Sequence, residues 1–296
     1  MKHTEWQPKR RIEANYQQAL NNLMNNFFKK LPHIGGSDPM EIMREFRVYC
    51  QNGNFSAYVR AAASRMVTGL AVENARTWRQ AAQEGMQSKN VHRALQKELQ
   101  GPIGQRVRQL VESNAELIGS LPDDIAQSVN RAILQESMRG RRAAQTEEIV
   151  QALSYRPDIE QIRARFVHLT QTRIALISRT ETSKASTALT RARSEELELP
   201  FYVWRTSKDG RVRTSHRHMD GVIIPWSEAP SPEKLKGVKS TLGAYHAGDS
   251  PNCRCYPAPI VSLNVIKWPA RVYQGGSIQY MTRSHFERMY SIRKSA

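Results

Sequence analysis

The chain has 296 residues and a mass of 33.8 kDa; 40% of it is hydrophobic and 24% charged, which excludes collagen-like, low-complexity or wholly disordered material. Lys and Arg number 44 against 27 Asp and Glu, giving a formal charge of +17 and a pI near 10.1, a field that favours polyanions such as nucleic acid or an acidic protein surface. No run approaches the ~18 apolar residues of a membrane span, the start is polar and basic, and three cysteines are too few for a disulfide framework. The expectation is therefore a protein of a reducing compartment, neither membrane-spanning nor conventionally secreted.

Ile12, Tyr16, Leu20, Leu23 and Phe27 recur at helical spacing and predict a first helix over 8–30, closed by Leu31-Pro32 and Gly35-Gly36. Asp38, Pro39 and Glu41 form a helix-start signature, and Ser56 is read as opening a longer helix that ends at Gly85. Further helices are predicted over 91–99, 105–117, 122–139, 145–153, 158–170 and 173–199. After Pro200 the texture changes. Residues 201–204, 222–224 and 258–266 are short β-prone runs separated by turn formers such as Asp209-Gly210, Asp220-Gly221 and Gly248-Asp249-Ser250-Pro251. The fold class expected is α+β: a mostly helical region over 1–150, a small α+β domain with short strands over 151–266, and a basic tail over 267–296.

Four residues of the C-terminal third offer metal-ligand chemistry: His216, His246, Cys253 and Cys255. Two thiolates and two imidazoles suit a closed tetrahedral zinc site, a zinc knuckle in which Cys253-Arg254-Cys255 is turned by the preceding Asp249–Asn252 segment. His218 competes with His216, since in an extended segment residues two apart face the same way. The plainer alternative is two buried thiols packing as small hydrophobes beside hydrogen-bonded histidines. A His216/His218 pair near Asp209 and Asp220 also admits a metal-dependent nuclease, and Glu181 admits a catalytic role or a surface pair with Lys184. Arg205, Lys208, Arg211, Arg213, Arg217 and Arg254 are the cations expected to meet DNA, without a base-reading pattern.

The order of motifs carries more than any one of them. Arg179-Thr180-Glu181-Thr182 leads into an alanine-rich helix; Trp204 follows, then the run from Asp209 through Arg211, Arg213 and His216 to Gly221, and last His246 ahead of Asn252-Cys253-Arg254-Cys255. This arrangement resembles the Mu F-like head morphogenesis family, the minor head proteins of tailed bacteriophages. The resemblance covers roughly 174–259, with a helical lead from about Asn114, and leaves 1–110 and the residues after Ile266 unmatched. It implies a protein of the capsid interior near the portal, present in the host cytoplasm during assembly, with the portal, other head proteins (major capsid or scaffold) and double-stranded DNA as partners and no membrane. It implies a role in head assembly and further in genome packaging or delivery, and brings no catalysis with it; docking of the helical region 1–150 on the portal is an expectation from its amphipathic faces. The family's recurrent residues fall on Arg179, Thr180, Glu181, Trp204, Asp209, Gly221 and Asn252, read as structural, and on Arg211, Arg213, His216, Cys253, Arg254 and Cys255. His246 matches a looser position behind the insertion-like segment 230–245. The alternatives left standing are a metal-dependent nuclease or injected toxin-like effector built on His216 and His218, and a zinc nucleic-acid-binding module.

Overall fold

The computed structural model describes residues 5–34, 39–84, 101–129, 131 and 159–290. In chain order these form α1 (Arg10–Phe28), a 3-10 turn (Leu31–His33), α2 (Pro39–Gln51), α3 (Gly53–Glu84), α4 (Pro102–Gly119), a helical stretch over 121–129 and α5 (Ile159–Glu196). Then follow β1 (Phe201–Arg205), α6 (Thr214–Met219), β2 (Ile223–Pro225), α7 (Pro232–Leu235), β3 (Tyr256–Pro259), β4 (Ala270–Gln274), β5 (Ser277–Met281) and α8 (Arg283–Met289). The protein is α+β, helical first and mixed sheet last, as its periodicities predict. The helices predicted over 91–99 and 145–153, and most of 130–139, lie outside the described residues.

The helical part departs from expectation in two places. α3 begins at Gly53 rather than Ser56, because the Asn52 side chain accepts from the Asn54 N–H at 2.8 Å and supplies the cap. The helices predicted over 158–170 and 173–199 are one continuous helix, α5. Nothing between Asp158 and Pro200 is Gly or Pro, so no residue interrupts the hydrogen-bond ladder until Glu198 turns left-handed at φ 54° and the Leu199 N–H bonds back to the Ser194 carbonyl at 2.8 Å.

The chain packs as two units that alternate along the sequence: Met1–Glu13, Met66–Leu110 and Arg179–Ala296 form one, and Ala14–Arg65 with Val111–Ser178 the other. The second unit is all-helical among its described residues. Its core is aromatic: Phe46 meets Phe166 edge to face at 5.0 Å between centroids, Phe27 lies 5.1 Å from Phe46, and the Tyr49 hydroxyl donates to the Leu23 carbonyl at 2.7 Å.

The first unit carries the sheet, in the order β3-β1-β2-β4-β5. β1 pairs antiparallel with β2 and β3, β2 runs parallel to β4, and β4 pairs antiparallel with β5. β1 is buried on both faces, so Phe201 and Val203 join Ile223, Val272 and Phe286 on one side while Tyr202 and Trp204 join Ile224, Trp226, Tyr245 and both Cys253 and Cys255 on the other. The run expected over 258–266 is a strand only to Pro259. Pro257 and Pro259 lack an N–H, which an edge strand tolerates, and the chain then turns through a 3-10 turn at Leu263–Val265 capped by the Ser262 hydroxyl.

The segment expected as a basic tail, 267–296, instead supplies β4 and β5 of the sheet, to Met281, and then α8 to Met289. Gly275 and Gly276, both at positive φ, make the two-residue hairpin between β4 and β5, and Glu228 accepts from both of their N–H groups at 3.2 Å. The Gly-Gly pair between two alternating runs was the available sequence signal.

Candidate metal centre

His216, Cys253 and Cys255 converge on the Tyr202/Trp204 face of the sheet, all buried, with their ligating atoms within 4.8 Å of one another. His216 lies on α6. The cysteines lie on the loop into β3, where Asn252 adopts a left-handed φ of 59° and the Cys255 N–H donates to the Cys253 sulfur at 3.3 Å. The Cys-x-Cys turn is thus wrapped around its first sulfur.

The imidazole is oriented by a buried relay. Tyr245 donates its hydroxyl proton to the Glu233 carboxylate, at 2.8 and 2.7 Å from the two oxygens, and Ser215 donates to the same carboxylate at 2.9 Å. Because the tyrosine proton is committed to Glu233, its oxygen accepts from His216 Nε2 at 2.8 Å. The network thereby assigns the proton to Nε2 and leaves the Nδ1 lone pair facing the sulfurs, each 3.4 Å away. Carboxylate, tyrosine and imidazole in series form an outer-sphere arrangement that fixes a metal-binding histidine. Glu233 is held below its ordinary carboxylate range: burial opposes ionisation, but the Tyr245 and Ser215 hydrogen bonds outweigh it. Tyr245 is driven up by burial and by Glu233.

The two thiols are tightly coupled. A hydrogen bond from Cys255 drives the Cys253 thiol down toward thiolate against the opposing effect of burial, and the same hydrogen bond together with burial drives Cys255 up. The chemistry of this donor set fits a borderline-soft ion. A tetrahedral zinc with bonds of about 2.3 Å to sulfur and about 2.05 Å to nitrogen requires N···S edges of about 3.6 Å, close to the 3.4 Å observed.

His246 and His218 stand elsewhere. His246 is not in the three-residue group; its Nδ1 pairs with the Tyr202 hydroxyl at 3.1 Å and its ring packs edge-on to Trp226. The four-ligand set expected from the sequence is therefore a three-ligand set. His218 sits two residues from His216 on a helix, not a strand, which turns the two rings to different sides; His216 is buried and His218 half-buried, its carbonyl taken by Arg271 at 3.0 Å. Asp220 accepts from the Thr206 N–H at 2.8 Å, away from any histidine ring contact. The geometry assembles no His216/His218 metal pair.

The family-motif residues brace this loop. Arg179 bonds to the Asn252 side chain and lies 3.4 Å from Glu13, Arg254 reaches Glu13 at 3.0 Å, and the Thr180 hydroxyl accepts from the Asn252 N–H at 3.0 Å. Glu181 pairs with Lys184 at 3.2 Å, Trp204 fills the core, and Asp209 accepts from the Arg211 N–H at 3.0 Å to close its turn. Gly221, at φ +83°, donates back to the Trp204 carbonyl at 2.8 Å. Of the cations expected to meet DNA, Arg205, Lys208, Arg211, Arg213 and Arg217 are exposed and Arg254 half-buried. Arg211, Arg213 and Arg254 share a hollow with Arg179, Asp209, Asn252 and the three metal-type ligands. Sequence reasoning missed Glu233 and Tyr245, which lie in the segment read as an insertion; Tyr245 beside His246 was the only local hint.

A pH test follows from the second histidine. Burial, with Arg191 next, pushes His246 down to about 4, whereas the unfolded chain protonates it near 6.5. As pH falls from about 6.5 to 4 the unfolded state therefore binds a proton the folded state refuses, and stability is lost across that window. Asp249, raised by burial to about 6, acts oppositely, since the folded state protonates before the unfolded one, and adds stability as pH falls from about 6 to 3.8. His246→Phe removes only the first effect. In denaturant titrations at pH 7 and pH 4, the variant is expected to gain on the wild type by up to about 3 kcal/mol in acid; parallel curves would show that His246 does not carry it.

The chain is an α+β protein in which a buried Cys-x-Cys and histidine cluster beside a small mixed sheet is tied to the long helix α5 through Arg179 and Thr180. Residues 123–257 match the family described as Phage Mu protein F like protein, so the resemblance read from the motifs holds over that segment. The chain is also 30% identical over 162 residues to an uncharacterized protein of Haemophilus influenzae (strain ATCC 51907 / DSM 11121 / KW20 / Rd), an alignment covering 55% of this chain and 31% of that protein. The chain thus spans about a third of the relative it matches. No solved structure matches it.

Proposed function

We propose that the protein is a minor head protein of a tailed bacteriophage, acting in head morphogenesis from the capsid interior near the portal. The observation that carries this reading is the family match over 123–257, which contains the Arg179 motif, Trp204, the His216 turn and the Cys253-Arg254-Cys255 loop in one ordered series. Its partners on this reading are the portal, the major capsid or scaffolding protein, and the packaged double-stranded DNA. The charge of +17 supports the last, because dispersed cations attract any duplex by counterion release. Among the described residues no helix is long and apolar enough to cross a membrane.

Zinc held by His216, Cys253 and Cys255 belongs to the same proposal. When bound, it supplies neutralisation of two buried thiolates and a crosslink between α6 and the loop before β3. The chain's own residues do the rest: Glu233 and Tyr245 hold the imidazole, and Thr180, Arg179 and Asn252 hold the loop. The three-ligand set favours one competing reading, a catalytic metal with an open position. Against it, the carboxylate in the adjoining hollow, Asp209, has its oxygens engaged by Ser207 at 3.2 Å and by the Arg211 N–H at 3.0 Å, which leaves no poised base.

The test is co-expression of the full chain with the cognate portal and, separately, titration of unrelated duplexes at rising salt. Retention on the portal, with DNA affinity that is indifferent to sequence and falls steeply with ionic strength, is the expected result. Failure to associate with portal or capsid proteins would overturn the head assignment. Metal-dependent cleavage of the duplexes would favour the catalytic reading.

A further inference from the structure

Beside the Cys/His cluster the surface dips into a hollow of about 80 Å³, lined by the guanidinium-bearing Arg179, Arg211, Arg213 and Arg254 together with Ser207, Asp209 and Asn252. We infer that this hollow is a subsite for a single phosphate group. Its volume is well above the about 10–15 Å³ that admits one water and far below the about 300–1,000 Å³ of pockets for organic ligands, which suits one tetrahedral oxyanion and excludes a base or sugar.

The charge and the rigidity agree with that occupant. Four guanidinium groups meet only two carboxylates, Asp209 in the lining and Glu13 behind Arg179 and Arg254, so positive charge is in excess. Three of the four arginines are fixed before any ligand arrives. Arg254 is clamped on Glu13 through Nη2 and Nε at 3.0 and 3.5 Å; Arg179 is held by Glu13 and Asn252; Arg213 spans the Ser250 hydroxyl at 3.1 Å and the Pro251 carbonyl at 2.7 Å. Each guanidinium has five N–H donors, so every one of these keeps donors to spare. The fourth, Arg211, makes no side-chain hydrogen bond or ion pair among the described residues, although its backbone is pinned by Asp209. Fixed forks around a small hollow, with one free fork among its lining residues, match the bidentate geometry by which arginine takes phosphate oxygens.

The inference deepens the proposed DNA contact and rests on it only for the source of the phosphate: a backbone phosphodiester or free phosphate. The experiment uses the full-length protein, inorganic phosphate by calorimetry at constant ionic strength, and a short duplex by anisotropy. Saturable phosphate binding is expected, weakened about tenfold by Arg211→Ala and less by Arg211→Lys, with Arg205→Ala, outside the hollow, within about twofold of wild type. Arg211 braces nothing, so the melting temperature of its variants should match the wild type. Loss of duplex affinity in Arg211→Ala beyond that in Arg205→Ala, with competition by phosphate, assigns the subsite to the DNA backbone. Equal duplex loss in both, with phosphate binding lost only in Arg211→Ala, assigns it to free phosphate. Absence of saturable phosphate binding, or equal weakening of it by Arg205→Ala, overturns the subsite while leaving salt-dependent duplex binding intact. Phosphate binding without duplex binding would instead remove the DNA contact and keep the subsite.

Discussion

Replacing Cys253 and Cys255 together by serine is expected to abolish metal content and to lower the melting temperature by about 10 °C or more. Wild-type protein expressed with zinc should hold about one equivalent by elemental analysis. The argument is from burial and pairing. Both sulfurs and His216 are almost wholly buried, and the imidazole is already oriented by Tyr245 and Glu233. In the double variant, which would hold no ion, a lone pair and two polar hydroxyls would face one another in an apolar core that includes Tyr202, Trp204 and Met219. Structural zinc is worth about 10–16 kcal/mol in peptides that have no other core. Here the sheet has its own core, so a loss of roughly 4 kcal/mol is the scale, and at about 2–4 °C per kcal/mol that gives the stated fall. Unchanged metal content and melting temperature in the double variant would defeat the metal assignment. Glu233→Gln offers a milder check, since it keeps shape but weakens the relay; metal affinity should drop about tenfold or more with the fold preserved.

The second large effect is expected at Gly248. Its φ of +95° is closed to side-chain-bearing residues in practice, and a Cβ there would run into the Thr187 hydroxyl and lie 3.0 Å from both the Cys255 carbonyl and the Ser183 hydroxyl. None of these can retreat cheaply. Thr187 donates to the Ala247 carbonyl at 2.7 Å, and the Cys255 carbonyl is backbone of the metal loop. Gly248→Ala is therefore expected to cost about 3 kcal/mol or more, visible as a shift of the urea midpoint. Thr187→Ala in the same chain should recover part of the loss and not all, because φ and the Cys255 contact remain. Full additivity of the two substitutions would mean that the helix and the loop are not in the contact described.

The same close approach explains a feature of α5 that its sequence leaves unexplained. Thr180, Ser183, Ser186, Thr187, Thr190 and Ser194 are all buried, an unusual density of hydroxyls for a helix interior. Small side chains let the loop at Ala247 to Asn252 come near the helix backbone, and the hydroxyls of Thr180, Thr187, Thr190 and Ser194 bond to the loop or to neighbouring groups: Thr190 donates to the Ser186 carbonyl at 2.9 Å while accepting from Asn74 at 2.7 Å. A helix wheel marks these positions as weakly polar. Only the packed neighbour shows why they are small.

What the sequence determined by itself is the material governed by local rules: the helical region and its periodicity, the strands at Phe201–Arg205 and near Ile223, the break at Pro200, and the family resemblance of the ordered motifs, matched over 123–257. These follow from side-chain spacing, proline's missing donor and residues close in the chain. The tertiary structure alone decided which histidine joins the cysteines. His216 and His246 both belong to the ligand set expected from the sequence, and the choice is made by α6, which turns His216 inward, and by Tyr202, which takes His246. It also decided that Arg179 and Arg254, far apart in the chain, share Glu13, that the segment read as an insertion supplies both members of the relay behind His216, and that β4 and β5 complete the sheet. Partner choice of this kind depends on which buried polar groups are satisfied together, a condition set by the whole packed core and not by any local run of residues.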